Sequence, residues 1–187
     1  MKKILLLVAT LTSALVVSAA EPAYSCSLKV GNPKNDSKME KSKNNGNSRN
    51  STQTKTTHQK MTWPVKVSFS GKEIPTEGVT LKCFCLGTTN DKAMILDTKE
   101  IKVQLDEKGA FKCDYESPEV TMTKTKRGGN NRNGGGNSSS SSGSRISGCV
   151  IQLLVGDTVK RSFATKSTWT KLAAKNPLPE AEILKFR

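Results

Sequence analysis

Cysteine is the residue type through which this chain could most readily do chemistry. It has five, Cys26, Cys83, Cys85, Cys113 and Cys149, and a single histidine, His58. Thiols in this number point to structural disulfides, a metal site or a redox centre. Cys83 and Cys85 stand two apart in an alternating run, so their α-carbons would lie about 6.6 Å apart on one strand face. That is near the outer limit for a bridge. Each is therefore expected to pair elsewhere, with a bridge from Cys83 or Cys85 to Cys113 as the candidate. A Cys-x-Cys metal or redox site is the weaker alternative. A metal would want more ligands close by, and a reactive thiolate would want cations or a helix N-terminus beside it. No cofactor and no metal ligand is assigned.

Other catalytic sets are no better supplied. A Ser-His-Asp or Cys-His site needs an imidazole within hydrogen-bond reach of its nucleophile, and His58 lies in a long polar stretch. Asp91, Asp97, Glu116 and Glu119 have the residue type for paired-carboxylate chemistry. They fall at expected turns and strand ends with lysines nearby, where solvated charge is ordinary. No Gly-rich loop follows a strand and opens a helix, so nucleotide chemistry has no support. The expectation is a protein that is not an enzyme.

The elements that would position these residues read as strands. Cys26, Leu28 and Val30 alternate with polar neighbours, as do Trp63, Val65, Val67 and Phe69. Further runs place Val79, Leu81, Cys83 and Cys85 together, then Ile101, Val103 and Leu105, then Phe111, Cys113 and Tyr115, and then Cys149, Ile151, Leu153 and Val155. Period-two alternation over short runs argues half-buried antiparallel strands. Phe84 and Leu86 interrupt the alternation, which predicts that this strand is covered on both sides near its end. Asp106-Glu107-Lys108-Gly109 and Gly156-Asp157 have the chemistry of tight turns. Seven to eight strands at this spacing resemble an immunoglobulin or fibronectin type III module, so the expected fold is an all-β antiparallel sandwich.

Charge is unevenly spread. The chain carries 30 Lys and Arg against 16 Asp and Glu, a formal +14. Residues 32–61 hold six lysines and Arg49 against Asp36 and Glu40, and residues 126–147 hold four cations and no acid. Both stretches are poor in large apolar residues and rich in Asn, Ser, Thr, Lys or Gly, so both are expected to be disordered inserts. The expected organisation is therefore a first strand at 21–31, an insert at 32–61, a core at 62–125, an insert at 126–147, a final hairpin at 148–166 and a helical tail at 167–187. Basic ribbons of this kind could touch lipopolysaccharide, glycan or nucleic acid. The candidate contacts are Lys41, Lys43, Arg49, Lys55, Lys126, Arg127, Arg132 and Arg145.

In the tail, Trp169, Leu172 and Ala173 fall at i, i+3 and i+4, Asn176-Pro177 stops that turn, and Ile183 and Phe186 follow. Such a tail would either cover an open end of the sandwich or offer Trp169, Leu172, Ile183 and Phe186 to a partner. At the other terminus, Met1-Lys2-Lys3, the apolar Ile4–Val17 run and Ser18-Ala19-Ala20 have the grammar of a secretory signal peptide over residues 1–20. The run is too short for a permanent span, so the mature chain is expected to be exported, periplasmic or secreted, with no stable membrane insertion. The sequence thus predicts a non-enzymatic interaction module of a bacterial cell envelope, its partner an envelope or extracellular protein or an anionic polymer. Polyanion binding through the inserts is the alternative, and thiol or metal chemistry at Cys83/Cys85 the weaker one.

Overall fold

The structure, a computed structural model, describes residues 23–44, 50–129 and 138–185. The expected signal segment lies outside these residues, as do Arg49, Arg132 and Phe186. Nine strands follow in chain order: β1 (Tyr24–Val30), β2 (Lys34–Asn44), β3 (Asn50–Gly71), β4 (Val79–Thr89), β5 (Lys92–Lys102), β6 (Ala110–Glu116), β7 (Val120–Gly129), β8 (Ser138–Val155) and β9 (Thr158–Ala164). A 3₁₀ turn (Ser167–Trp169), α1 (Thr170–Ala173) and α2 (Glu180–Ile183) close the chain. Strand accounts for 68% of the structure and helix for 8%, and every pairing is antiparallel, so the all-β class holds.

Two strand groups enclose the core. The lower half of β3 is flanked by β1 and β6, and β4 and β8 are flanked by β5 and β9. Alternate residues of β3 (Trp63, Val65, Val67, Phe69) meet alternate residues of β4 (Val79, Leu81, Cys83, Cys85) and of β8 (Cys149, Ile151, Leu153), all within 4% of full burial. Trp63 stacks on Tyr115 of β6 with ring centroids 5.5 Å apart. The predicted Asp106–Gly109 turn forms: Gly109 takes φ +69, and the Asp106 carboxylate accepts from the Lys108 and Ala110 amides at 2.9 and 2.8 Å.

A third layer covers the outer face of β4 and β8. Phe84, Leu86 and Val150 point away from the main core and pack against Trp169, Leu172, Ala173, Leu178 and Ile183. The tail therefore covers a sheet face, not an open end. Gln152, fully buried between the layers, donates from Nε2 to the Ala173 carbonyl at 2.8 Å and to the Lys175 carbonyl at 2.7 Å. Those two bonds satisfy carbonyls left free where a helix ends.

The two stretches expected to be disordered are the largest departure from the sequence reading. Residues 34–44 and 50–61 lie in β2 and β3, and 126–129 and 138–147 in β7 and β8. They build an arm of four strands in the order β2-β3-β7-β8 that prolongs β3 and β8 beyond the core. The physical reason is that a strand already held by a core needs no new nucleus to continue. Each further residue adds ladder hydrogen bonds, and threonines at alternate positions favour the extended backbone. Thr54 and Thr56 lie opposite Thr125 and Thr123, which in turn face Ser140 and Ser142. Gly143, at φ +105, marks where β8 leaves β7; from Ser144 it pairs with β4.

Candidate polyanion interface

The arm's register sorts its cations. Lys41 of β2 lies opposite Lys55 of β3, and Lys55 lies opposite Lys124 of β7. Three lysines thus stand abreast in one row across three strands. Two residues further out, on the same face, Lys43 and Lys126 flank Gln53. All five lysines are exposed, and none is paired with a carboxylate among the described residues. With strands about 4.8 Å apart, Lys41 and Lys124 are roughly 10 Å from one another.

A second row has the same form. Lys29 of β1 lies opposite Lys66 of β3, and Lys66 lies opposite Lys112 of β6. These three lysines border a groove of about 550 Å³ together with Asp114, its one acid. The rows occupy opposite parities of β3, eleven residues apart, which is about 36 Å along an extended strand. Serine pairs continue the second face: Ser27 and Ser68 hydroxyls are 2.8 Å apart, Ser25 and Ser70 hydroxyls 2.7 Å.

Like charges directly opposite one another destabilise a sheet. Exposed ammonium groups in neighbouring strands repel by less than about 1 kcal/mol per adjacent pair in water, a cost the free protein carries in each row. An anion laid across the row reverses the sign of that term.

The structure distributes the other sequence-predicted residues differently. Lys41, Lys43, Lys55 and Lys126 come together on the arm face, joined by Lys124, which sequence reasoning missed. Arg127 has the opposite parity on β7 and lies across from Thr52 and Ser138. Arg145 lies past the Gly143 crossover, opposite Thr88 of β4, away from the arm. Arg49 and Arg132 fall outside the described residues. The signal that could have found Lys124 is register: it is two residues from Lys126 on a strand whose partner carries Lys55.

The cysteine expectations are not met. Cys26, Cys83, Cys85, Cys113 and Cys149 are all free thiols. Each projects into the core at its own register position, Cys26 opposite Phe69, Cys83 opposite Ile151 and Cys113 opposite Val65; Cys85 and Cys149 face each other across β4 and β8. Burial raises the thiols of Cys83, Cys85 and Cys149 from the ordinary 9.0 to about 12. A group so strongly held as the neutral thiol is a poor nucleophile and ligand. Among the described residues no cluster of His, Cys, Asp or Glu is arranged to hold a metal ion.

His58 is likewise placed in β3, with Nδ1 3.2 Å from Glu119 Oε1 and 3.3 Å from Thr121 Oγ1. Next to it, Lys60 and Glu116 form an ion pair at 2.6 Å. Hydrogen bonding and attraction to the partner raise Lys60 and lower Glu116 from their ordinary values. Lys60 is already paired, which sets it apart from the lysines of the two rows.

The tail residues proposed as partner anchors are used inside the fold. Trp169, Leu172 and Ile183 are 2%, 9% and 1% exposed, so their apolar surface is spent on Phe84, Leu86 and Val150. Phe186 lies outside the described residues. No family model, no curated protein and no solved structure matches the chain.

Proposed function

We propose that this protein binds an anionic polymer through rows of lysine laid across its sheet, and that its role is binding and not catalysis. One observation carries the reading: lysines stand three abreast in two separate places with no carboxylate partner among the described residues, an arrangement of like charges that an anion would neutralise. A four-stranded arm presents such a row to an extended chain of phosphates or sulfates without requiring the protein to become ordered on binding. The absence of aromatic side chains between the arm lysines favours recognition of backbone charge over stacking on bases.

The immunoglobulin-like reading belongs to the same proposal. The core order β6-β3-β1 and β5-β4-β8-β9 on either side of the core supports that reading. The arm would then be a paired extension of two of its strands. The secretory grammar of residues 1–20 supports export to the periplasm or beyond, where anionic envelope polymers or extracellular glycans would be the partners.

The test is retention of the mature chain on heparin, on DNA and on lipopolysaccharide at low salt. A variant with Lys41, Lys43, Lys55, Lys124 and Lys126 changed to Gln is compared with it. The expected result is retention of the native chain and its loss in the variant, whose melting temperature at low salt should be no lower than that of the native chain. Equal retention of both would reject the arm as the binding surface.

A further inference from the structure

Strand β2 forms an outer edge of the arm. Among the described strands it pairs with β3 alone, so one side of its eleven residues has no ladder. Strand β3 tells which backbone groups face that side. The amide and the carbonyl of Met61 both bond to Ser117, on the β6–β7 side, so the even-numbered residues of β3 turn toward β2. Even residues of β2 lie opposite them, which leaves Asn35, Ser37, Met39, Lys41 and Lys43 with N–H and C=O directed outward. Every side chain from Lys34 to Lys43 is exposed, and Met39, at the centre of the strand, is 52% exposed. An edge of this length is a template for another strand.

The charges of β2 complement their own reverse. Two copies laid antiparallel with Met39 opposite Met39 overlap along all eleven residues. Lys38 of each copy then meets Glu40 of the other, Lys41 meets Ser37 and Lys43 meets Asn35. Neither Lys38 nor Glu40 has an ion pair among the described residues of the single chain. Sliding the register by two residues either way sets Lys38 against Lys38 or Glu40 against Glu40, which destabilises a sheet. The other edge of the arm, Ser138–Ser142 of β8, is serine throughout and offers no charge to Lys38 or Glu40.

We propose that this chain forms a homodimer by antiparallel pairing of its β2 edges about Met39, which joins two arms into one continuous sheet. The outward residues of the two copies exchange backbone hydrogen bonds, and the two methionines bury against each other at the axis. That twofold axis stands perpendicular to the sheet, so both copies turn the same face to one side. The Lys41, Lys55 and Lys124 rows of the two copies then share a face, about 14 Å apart along the strands. The pairing itself uses Lys38, Met39 and Glu40 and does not rest on the polymer reading.

Sedimentation equilibrium of the full mature chain, with no polymer present, reads the mass. The native chain is expected to reach the dimer mass and stop there. Glu40→Lys and Lys38→Glu each set like charges against one another at two places, so each alone should weaken the dimer at least about tenfold. An equal mixture of these two variants restores opposite charges at both places and should dimerise like the native chain. Met39→Pro removes an amide that faces outward, so it should abolish the dimer and leave the β2–β3 ladder in place, with a native circular dichroism spectrum. A native chain that stays monomeric at submillimolar concentration would overturn the proposal, as would a mass that climbs past the dimer into an open filament. Single variants that dimerise like the native chain, or a mixture no more dimeric than its components, would overturn it too.

Discussion

Gln152 is the residue on which attachment of the tail should depend most. Its Nε2 is the donor for two carbonyls, those of Ala173 and Lys175, and replacement by Leu removes both bonds at similar volume. The two losses differ. Ala173 is fully buried, so its carbonyl would be stranded, at about 2 kcal/mol. Lys175 is exposed, so water can take the place of the lost donor, and about 1 kcal/mol is at stake. Against this, Gln152 Oε1 is buried with no hydrogen-bond partner among the described residues, and its removal returns about 1 kcal/mol. The balance is a loss of about 2 kcal/mol, close to a thirtyfold shift in the docking equilibrium. Urea unfolding followed by tryptophan emission reads it directly, since Trp169 reports the tail layer and Trp63 the main core. Gln152→Leu should bring forward the Trp169 transition, and Gln152→Glu should do so further by setting a carboxylate against two carbonyls. A Gln152→Leu protein as stable as the native one would refute the reasoning.

Other consequences are open to simple measurement. Cys83, Cys85 and Cys149 have thiols raised to about 12 in the folded state, so the protonated form is favoured by folding; stability should be full below about pH 9 and fall as pH rises from 9 toward 12, by about 1.4 kcal/mol per unit for each thiol. A denaturant midpoint that is flat from pH 8 to 10.5 would contradict this. At pH 8 a thiol reagent should modify only the half-buried Cys26 and Cys113 in the native chain and all five after unfolding. Gly143→Ala should cost about 3 kcal/mol, because its φ of +105 is strained for any side chain and a β-carbon would meet the Thr121 carbonyl. Lys66→Gln removes the middle charge of the second row and should raise the melting temperature of the free protein at low salt, an effect that 0.5 M salt should erase.

Much of the core was legible because alternation reports a face. The β3, β4 and β8 core residues, the Asp106–Gly109 turn and the two-sided covering of β4 at Phe84 and Leu86 all follow from local pattern. The arm was not legible for a reason of the same kind. Residues 34–44 and 50–61 carry no apolar face, and a reading that asks each segment to bury surface finds nothing to order them. What orders them is a neighbour: β3 is anchored by Trp63–Phe69 and lends its register to β2 and β7. Lysine rows are a property of three strands at once, so no single segment reveals them. The cysteines misled in the opposite sense. Their count suggested cross-links, while their parity shows small apolar groups filling separate positions of one core.

If the arm row contacts an anionic polymer directly, as proposed, the affinity should depend steeply on salt. With five lysines engaged, log K against log salt should have a slope of about −3.5, a loss of roughly 100-fold between 50 and 200 mM. Changing Lys41, Lys55 and Lys124 to Gln should bring the slope to about −1.4. A variant with the native affinity and the native slope would contradict the account.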